Sequence, residues 1–349
     1  MTQVAVTGAA GPVGRRVVAR LLADPAVERV VAVDREPMRH VREADFDGRL
    51  EVHRMHLRSG DLVPVLSGVD VVCHLAGSDP LEGTETDHDV HTVTRLLDAV
   101  EHAGVRQVLV RTSATVYGAW SDNPVPMAET VPIRPNQESR WVGVRADVEG
   151  RVNAFAAAHP DVTVAVLRPC ITVSRHGPDE LGRVLAAARV VASGEGAAPM
   201  QFVHADDVAD AIEVVRRTGA AGTFNVAPDG ALDADLVRAL VGGAPRLPLP
   251  ESVGRLLTSV GWHYQVVPTP PGFVPFVQHP WVVANDRLRA LGWQPQHTTE
   301  EAFVAGHAAA PWAQISPQRR QEIALGVAVA GIAAGLAGTA ALLRRRFRE

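Results

Sequence analysis

Short valine-rich runs alternate with longer helical stretches over the first half of the chain. The runs predicted to be strands span residues 3–7, 28–34, 50–55, 70–75, 106–112 and 162–168, and the predicted helices span 12–23, 61–67, 87–103 and 139–158. Continuously apolar strands separated by helices are typical of a parallel sheet with helices on both faces. Because crossovers in such sheets are right-handed, we expect an α/β fold with a doubly wound parallel (Rossmann) sheet.

The composition excludes several classes of protein. With 349 residues, 46% of them hydrophobic, the chain is neither disordered nor a small disulfide-rich scaffold. A net charge of −5 argues against nucleic acid as a partner, because neutralising phosphates requires a basic face. Cys73 and Cys170 each lie inside an apolar run, so we predict two buried thiols and no metal site.

A glycine-rich turn follows the first predicted strand and opens the first predicted helix. Gly8, Gly11 and Gly14 allow a tight turn and a close approach of a pyrophosphate, which the helix N-terminus stabilises. Asp34 ends the second strand 20 residues after Gly14. Its carboxylate accepts hydrogen bonds from a ribose diol and repels a 2′-phosphate, so NAD is favoured over NADP.

Further motifs follow the later strands in order. They are His74-Leu75-Ala76-Gly77, Ser113-Ala114-Thr115-Val116-Tyr117-Gly118, Leu167-Arg168-Pro169, Phe202-Val203-His204-Ala205-Asp206-Asp207-Val208 and Leu291-Gly292-Trp293. Over roughly residues 1–305 the chain resembles the extended short-chain dehydrogenase/reductases, and more narrowly the NAD-dependent epimerase/dehydratase family, which acts on nucleotide sugars.

The resemblance implies roles for residues at the cofactor. Gly8, Gly11 and Gly14 would hold the pyrophosphate and Asp34 the adenosine ribose. The other residues that would lie close to the cofactor are Ala76, Gly77 and Pro169. Of these, Pro169 would lie beside the nicotinamide. The family often has an Asp after the third strand that contacts the adenine, whereas this chain has His56-Leu57.

The chain departs from the resemblance at the catalytic positions. The family uses a Tyr-x-x-x-Lys on one helix face for proton exchange, with a nearby hydroxyl that polarises the reacting oxygen. Ser113 is the predicted catalytic hydroxyl, but Trp141 and Arg145 occupy the Tyr and Lys positions. An indole only donates hydrogen bonds. Arg145 stays protonated and can still bind ribose or phosphate, and the Arg itself fits a chain whose 34 basic residues are all arginine.

No other residue replaces the missing pair convincingly. The dehydratase branch places Asp-Glu after the catalytic hydroxyl, where this chain has Ala114-Thr115. Tyr117, one of two tyrosines, is assigned to packing and substrate contact. Four candidates remain. His74 is interpreted as a strand-end packing residue and Asp147 as a helix-surface residue. His176 is interpreted as a substrate-loop residue and His204 as a helix cap.

Two functions therefore stay open. In the first, the protein is an enzyme that performs epimerase or reductase chemistry on a nucleotide sugar with Ser113 and an unidentified acid/base. In the second, it is a non-catalytic binder or scaffold that uses the nucleotide pocket for structure or sensing. An acyl- or lipid-linked substrate at a membrane is compatible with either function.

The predicted domains end in an apolar segment. We expect an NAD-binding Rossmann domain (1–169) joined by later elements, a substrate lobe (170–309), a linker (310–322), a transmembrane helix (323–343) and a basic tail (344–349). The 21 residues of 323–343 carry no charge and span ~31 Å as a helix, close to the ~30 Å hydrocarbon thickness. An interfacial helix and a soluble dimerisation helix are the alternatives.

These features predict a location and an assembly. The N-terminus carries no secretory signal, so a cytoplasmic domain anchored to the inner membrane is expected. The four arginines of the tail would then be translocated, against the positive-inside rule. Gly331 and Gly335 form a small-residue face through which two helices pack, which is consistent with a homodimer.

Overall fold

A seven-stranded parallel sheet forms the centre of the protein. The computed structural model describes residues 2–38, 48–78, 88–191, 198–233, 236–237, 240 and 270–307. The sheet strands are β1 (Thr2–Thr7), β2 (Val27–Asp34), β3 (Leu50–Arg54), β4 (Val71–His74), β5 (Gln107–Arg111), β6 (Thr163–Pro169) and β10 (Gly222–Val226), in the order β10-β6-β5-β4-β1-β2-β3. The expected doubly wound sheet is confirmed, and the predicted strands agree within one or two residues at each end.

Helices cover both faces of this sheet. They are α1 (Pro12–Ala23), α2 (Leu62–Val65), α3 (His88–Ala103), α4 (Arg140–Ala158), α5 (Glu180–Val191), α6 (Ala205–Thr218), α7 (Pro275–Gln278), α8 (Asp286–Ala290) and α9 (Thr299–Gly306). Alternate residues of β1 face opposite cores: Val4 and Val6 pack with α1 and α6, and Ala5 packs with α2, α3 and α4. This period of two, with apolar residues on both faces, explains the continuously apolar strands of the sequence.

The strand order reverses between β4 and β1. Helices leaving these neighbouring strands lie on opposite faces of the sheet, so a crevice opens at their carboxyl ends. The later chain contributes β10, which pairs in parallel with β6 at the sheet edge. The seven-stranded sheet is therefore completed by a strand from beyond residue 169.

A small second sheet lies after β6. Its strands are β7 (Ile171–Ser174), β8 (Gly177–Pro178) and β9 (Phe202–His204), with β7 in the centre. The Phe202 ring packs edge-on against Phe303 of α9, with 4.8 Å between centroids. The turn from β7 through β8 leads into α5, whose N-terminus reaches the crevice.

None of the helices in the described ranges is long and apolar enough to cross a membrane. The predicted linker, transmembrane helix and basic tail (310–349) lie outside those ranges.

Candidate functional site

A cavity of about 510 Å³ lies at the carboxyl ends of the strands. Its walls come from the glycine turn after β1, the end of β2, the segments after β4, β5 and β6, and the first residues of α5. Most of the predicted site residues line it: Gly8, Gly11, Asp34, Ala76, Gly77, Ser113, Trp141, Arg145 and Pro169. Gly14 is not part of the cavity wall; it is the third residue of α1 and is buried.

The glycine turn is packed too closely for side chains. Gly8 has φ +75°, and a Cβ there would lie 2.6 Å from the backbone nitrogen of Ala76. A Cβ on Gly14 would overlap the carbonyl oxygen of Gly8. Gly11 is the N-cap of α1 and Pro12 takes the first helical position, so the helix N-terminus opens into the cavity. This cradle of bare backbone at a helix N-terminus fits a pyrophosphate.

Asp34 connects the glycine turn to the end of β2. Its Oδ2 accepts a hydrogen bond from the backbone nitrogen of Ala10 at 2.8 Å, and its Oδ1 accepts one from Glu36 at 2.9 Å. The carboxylate lines the cavity together with His56 and Leu57. The ribose acceptor predicted from sequence is thus placed beside the phosphate cradle, and an imidazole lies where the family often has a carboxylate.

Trp141 and Arg145 are both hydrogen-bonded to one backbone carbonyl. The indole Nε1 donates to the oxygen of Ser78 at 3.0 Å, and an Arg145 guanidinium nitrogen donates to the same oxygen at 3.1 Å. Arg145 also lies 3.4 Å from a carboxylate oxygen of Asp89. Burial lowers the pKa of Arg145, Asp89 opposes this shift, and a guanidinium remains charged. Both side chains are donors, so neither accepts a proton from a substrate.

Ser113 is held by its neighbour Thr115. Its Oγ accepts hydrogen bonds from the Thr115 hydroxyl at 3.0 Å and the Thr115 backbone nitrogen at 3.3 Å. Because these bonds occupy the oxygen lone pairs, the Ser113 proton remains available for donation. The hydroxyl can therefore polarise an oxygen bound in the cavity.

Tyr117 does not replace the missing phenol. Its hydroxyl donates to Asn225 Oδ1 at 2.9 Å, the Arg168 guanidinium lies 4.7 Å from its ring centroid, and the side chain is buried away from the cavity. Burial raises the pKa of Tyr117. Its role here is packing.

A buried ion pair fixes α4 against the sheet. Arg168 of β6 donates to both oxygens of Glu149, with contacts of 2.5 and 3.0 Å. The Thr112 hydroxyl donates to the same carboxylate at 2.6 Å. Glu149 is fully buried, so this network sets the position of the helix that carries Trp141.

The other acid/base candidates lie away from the cavity wall. His74 is buried and hydrogen-bonded to the Thr7 hydroxyl at 2.7 Å, and burial lowers its pKa to about 4. Asp147 and His176 are exposed. His204 caps α6 by accepting from the Asp206 backbone nitrogen at 3.3 Å.

Two residues that line the cavity were not anticipated from the sequence, namely Asp179 and Arg111. Asp179, directly before α5, accepts backbone hydrogen bonds from Thr172 at 3.3 Å and Gly182 at 2.9 Å. Burial raises its pKa to about 6, and the nearby Arg111 guanidinium limits the increase. The only sequence signal was an Asp before a helical run, which predicts a cap. Among the described residues, no group of three or more His, Cys, Asp or Glu is arranged for a metal.

Residues 4–227 match the family model of the NAD dependent epimerase/dehydratase family. The chain belongs to this family. The match runs from β1 to the end of β10, which is the whole parallel sheet. The resemblance stated from the sequence motifs is therefore confirmed.

Relatives and solved structures agree with this assignment. An uncharacterised protein of Mycobacterium tuberculosis is 29% identical over 317 residues, covering 86% of this chain and 82% of the relative. A dTDP-glucose 4,6-dehydratase of Streptomyces griseus is 27% identical, covering 74% of this chain and 79% of the enzyme. The structure of MoeE5 in complex with UDP-glucuronic acid and NAD is similar with a TM-score of 0.63 and 24% identity, covering 87% of this chain and 97% of that one.

Proposed function

We propose that this protein binds NAD in the cavity and acts there on a nucleotide sugar. The observation that carries the proposal is the cradle at Gly8, where a Cβ would come within 2.6 Å of the Ala76 backbone. Only bare backbone fits there, and Asp34 stands beside it as the ribose acceptor. When bound, NAD supplies reversible two-electron oxidation of an alcohol carbon.

The Ser113 hydroxyl supports the substrate part of the proposal. Ser113 lines the cavity with a proton to donate, and Pro169 at the end of β6 lines the same cavity. A dTDP-glucose dehydratase and a protein crystallised with UDP-glucuronic acid are among the similar proteins. Both names refer to a hexose on a nucleoside diphosphate, so this is the proposed substrate class.

Calorimetric titration tests the cofactor site. The intact protein should bind NAD more tightly than NADP, because Asp34 repels a 2′-phosphate. Asp34→Ala should weaken NAD more than NADP. Asp98→Ala, at an exposed position of α3, is the matched control and should bind like the intact protein. Failure of the intact protein to bind NAD would refute the proposal.

A non-catalytic binder or scaffold is the second candidate. It is favoured by the two donors at the catalytic positions, since Trp141 and Arg145 both bind the Ser78 carbonyl and cannot exchange a proton. The two candidates differ in a direct measurement. An enzyme reduces its bound NAD when UDP-glucuronic acid or dTDP-glucose is added, whereas a binder leaves it oxidised.

We also propose a cytoplasmic location at the inner membrane, with 323–343 as the anchor and a homodimer as the assembly. The uncharged 21-residue segment and its Gly331-Gly335 face support this arrangement.

A further inference from the structure

A carboxyl group and a guanidinium line the same cavity and interact electrostatically. Arg111 is the last residue of β5, and Asp179 lies between β8 and α5. Both line the cavity together with Ser113 and Pro169. Arg111 stabilises the charged form of Asp179, which is the influence that the family's Lys has on its Tyr.

Asp179 is held in place with acceptor capacity to spare. Oδ2 accepts from the Thr172 backbone nitrogen and Oδ1 from that of Gly182. Each carboxylate oxygen has two acceptor sites, so one on each oxygen stays open. Within the part of the chain that the structure describes, no cationic side chain lies within ion-pair distance of Asp179. Backbone hydrogen bonds therefore fix the orientation of the Asp179 carboxylate, and its open acceptor sites can bind a proton.

The surroundings of Asp179 set the pH range in which its carboxyl group exchanges a proton. Burial is the main cause that raises the pKa of Asp179 to about 6. Glu180 contributes to this rise, while the backbone hydrogen bond from Gly182 and the charge of Arg111 oppose it. The neighbouring Cys170 thiol is buried, and its pKa is raised well above the ordinary value. Cys170 therefore stays neutral, and Asp179 changes charge near physiological pH. A group with a pKa close to the working pH is the most effective general acid or base.

The other carboxylates of the cavity have different positions or partners. Asp34 lies at the ribose end, bonded to the glycine turn. Asp89 is paired with Arg145. Glu180 lies 3.4 Å from Arg183 in a half-exposed pair. Asp179 is the remaining acid of the cavity wall, and the charge that acts on it comes from Arg111, two residues before Ser113.

We propose that Asp179 is the residue that exchanges the substrate proton in this protein, in place of the missing tyrosine, with Ser113 donating to the same sugar oxygen and Arg111 as a positioning residue. This inference rests on the proposed function. The sugar hydroxyl proton passes to the Asp179 carboxylate, and the hydrogen on the same carbon leaves with its electron pair to NAD⁺. The carbinol carbon is oxidised to a ketone and NAD⁺ is reduced to NADH. In the reverse step, the proton returns from Asp179 to the sugar oxygen, and the hydrogen returns with its electron pair to the carbon.

Single-turnover reduction of bound NAD by UDP-glucuronic acid or dTDP-glucose tests the inference. Asp179→Asn should reduce the rate by about 10²–10⁴-fold, the usual loss for a general base. The intact protein's rate should rise with pH through about 6, since the carboxylate form accepts the proton. Asp179→Asn should lose this dependence. Asp98→Asn, at an exposed position of α3 outside the cavity lining, is the control and should keep both rate and profile.

A binding measurement provides a readout independent of turnover. The protons exchanged when the sugar nucleotide binds are measured calorimetrically in two buffers of different ionisation enthalpy. The intact protein and Asp98→Asn should exchange protons near pH 6, and Asp179→Asn should not. Asn keeps the capping oxygen at this position, so thermal melting should confirm an intact fold.

The outcomes separate this inference from the proposed function. Reduction of NAD that persists in Asp179→Asn with an unchanged pH profile overturns only the role of Asp179, as does equal proton exchange in that variant. Absence of NAD reduction in the intact protein overturns the proposed turnover and the inference with it. A loss confined to Asp179→Asn supports both.

Discussion

The Arg145 guanidinium lies 4.8 Å from the centroid of the Trp141 ring, and both side chains donate to the carbonyl oxygen of Ser78. One helical turn of α4 therefore clamps the segment after β4. In the resembled family this turn carries a phenol and an amine that exchange a proton and bind the ribose. Here the same turn has become a fixed wall of the cavity, so ordinary turnover through this turn is not expected.

Restoring the pair should therefore raise the rate of hydride transfer. Trp141→Tyr with Arg145→Lys introduces a phenol that can exchange a proton and an amine that lowers its pKa. We expect single-turnover NAD reduction to increase by about 10-fold or more. Trp141→Phe with Arg145→Lys is the matched control, since it opens the same space without a hydroxyl. Equal rates in the two double variants would contradict the prediction.

Two helical glycines should respond in opposite directions to alanine. Gly14→Ala in α1 places a Cβ against the Gly8 carbonyl and 2.8 Å from the Ala9 Cα. This overlap should destabilise the fold by about 1–3 kcal/mol and weaken NAD binding. Gly150→Ala in α4 meets nothing within 4 Å and should stabilise by about 0.5–1 kcal/mol. Urea unfolding measures both; a neutral Gly14→Ala would refute the close-packed turn.

Removing the carboxylate of the buried ion pair between Glu149 of α4 and Arg168 of β6 should destabilise the protein. Glu149→Gln leaves the Arg168 charge buried and unpaired, and we expect a loss of about 3–5 kcal/mol in the free energy of unfolding. Asp122→Asn breaks the exposed pair with Arg134 and should change the melting temperature far less. Similar effects of the two substitutions would contradict the burial of this network.

His74 should make stability depend on pH. Burial lowers its pKa from 6.5 to about 4, so the unfolded state binds more protons between these values. The free energy of unfolding therefore falls as the pH drops from 6.5 to 4, by an amount on the order of 3 kcal/mol from this group. Asp179 acts in the opposite direction, since its folded pKa is raised.

A variant isolates the contribution of His74. His74→Asn should flatten the fall in stability between pH 6.5 and 4 relative to the intact protein. His102→Asn, at an exposed position of α3, should leave the pH dependence unchanged. An unchanged slope in His74→Asn would show that another group causes the pH dependence.

Fractionation of the expressed protein tests the membrane proposal. The full chain should sediment with membranes and require detergent for release, because the 21 uncharged residues of 323–343 match the hydrocarbon thickness. Deleting 323–349 should move the protein to the soluble fraction. Recovery of the full chain without detergent, unchanged by the deletion, would overturn the anchor.

Local sequence patterns determined the central sheet and the cofactor end. A period of two in valine-rich runs and a helical period between them set the strands and helices, since backbone geometry alone imposes these periods. The Gly8-Gly11-Gly14 spacing and Asp34 likewise act within one β-α-β unit. The identity of Trp141, at the position that the resemblance assigns to the family's tyrosine, predicted that the phenol is absent there.

The contacts around the candidate site depend on the tertiary structure. Trp141 meets the Ser78 carbonyl across 63 residues of chain, and Tyr117 meets Asn225 across 108. The raised pKa of Asp179 depends on burial, and Arg111, a residue from β5, partly opposes the rise. No local pattern encodes these contacts, because they arise where the carboxyl ends of separate strands converge and exclude water. Asp179 was not singled out from the sequence, and only the fold places it in the wall of the same cavity as Ser113.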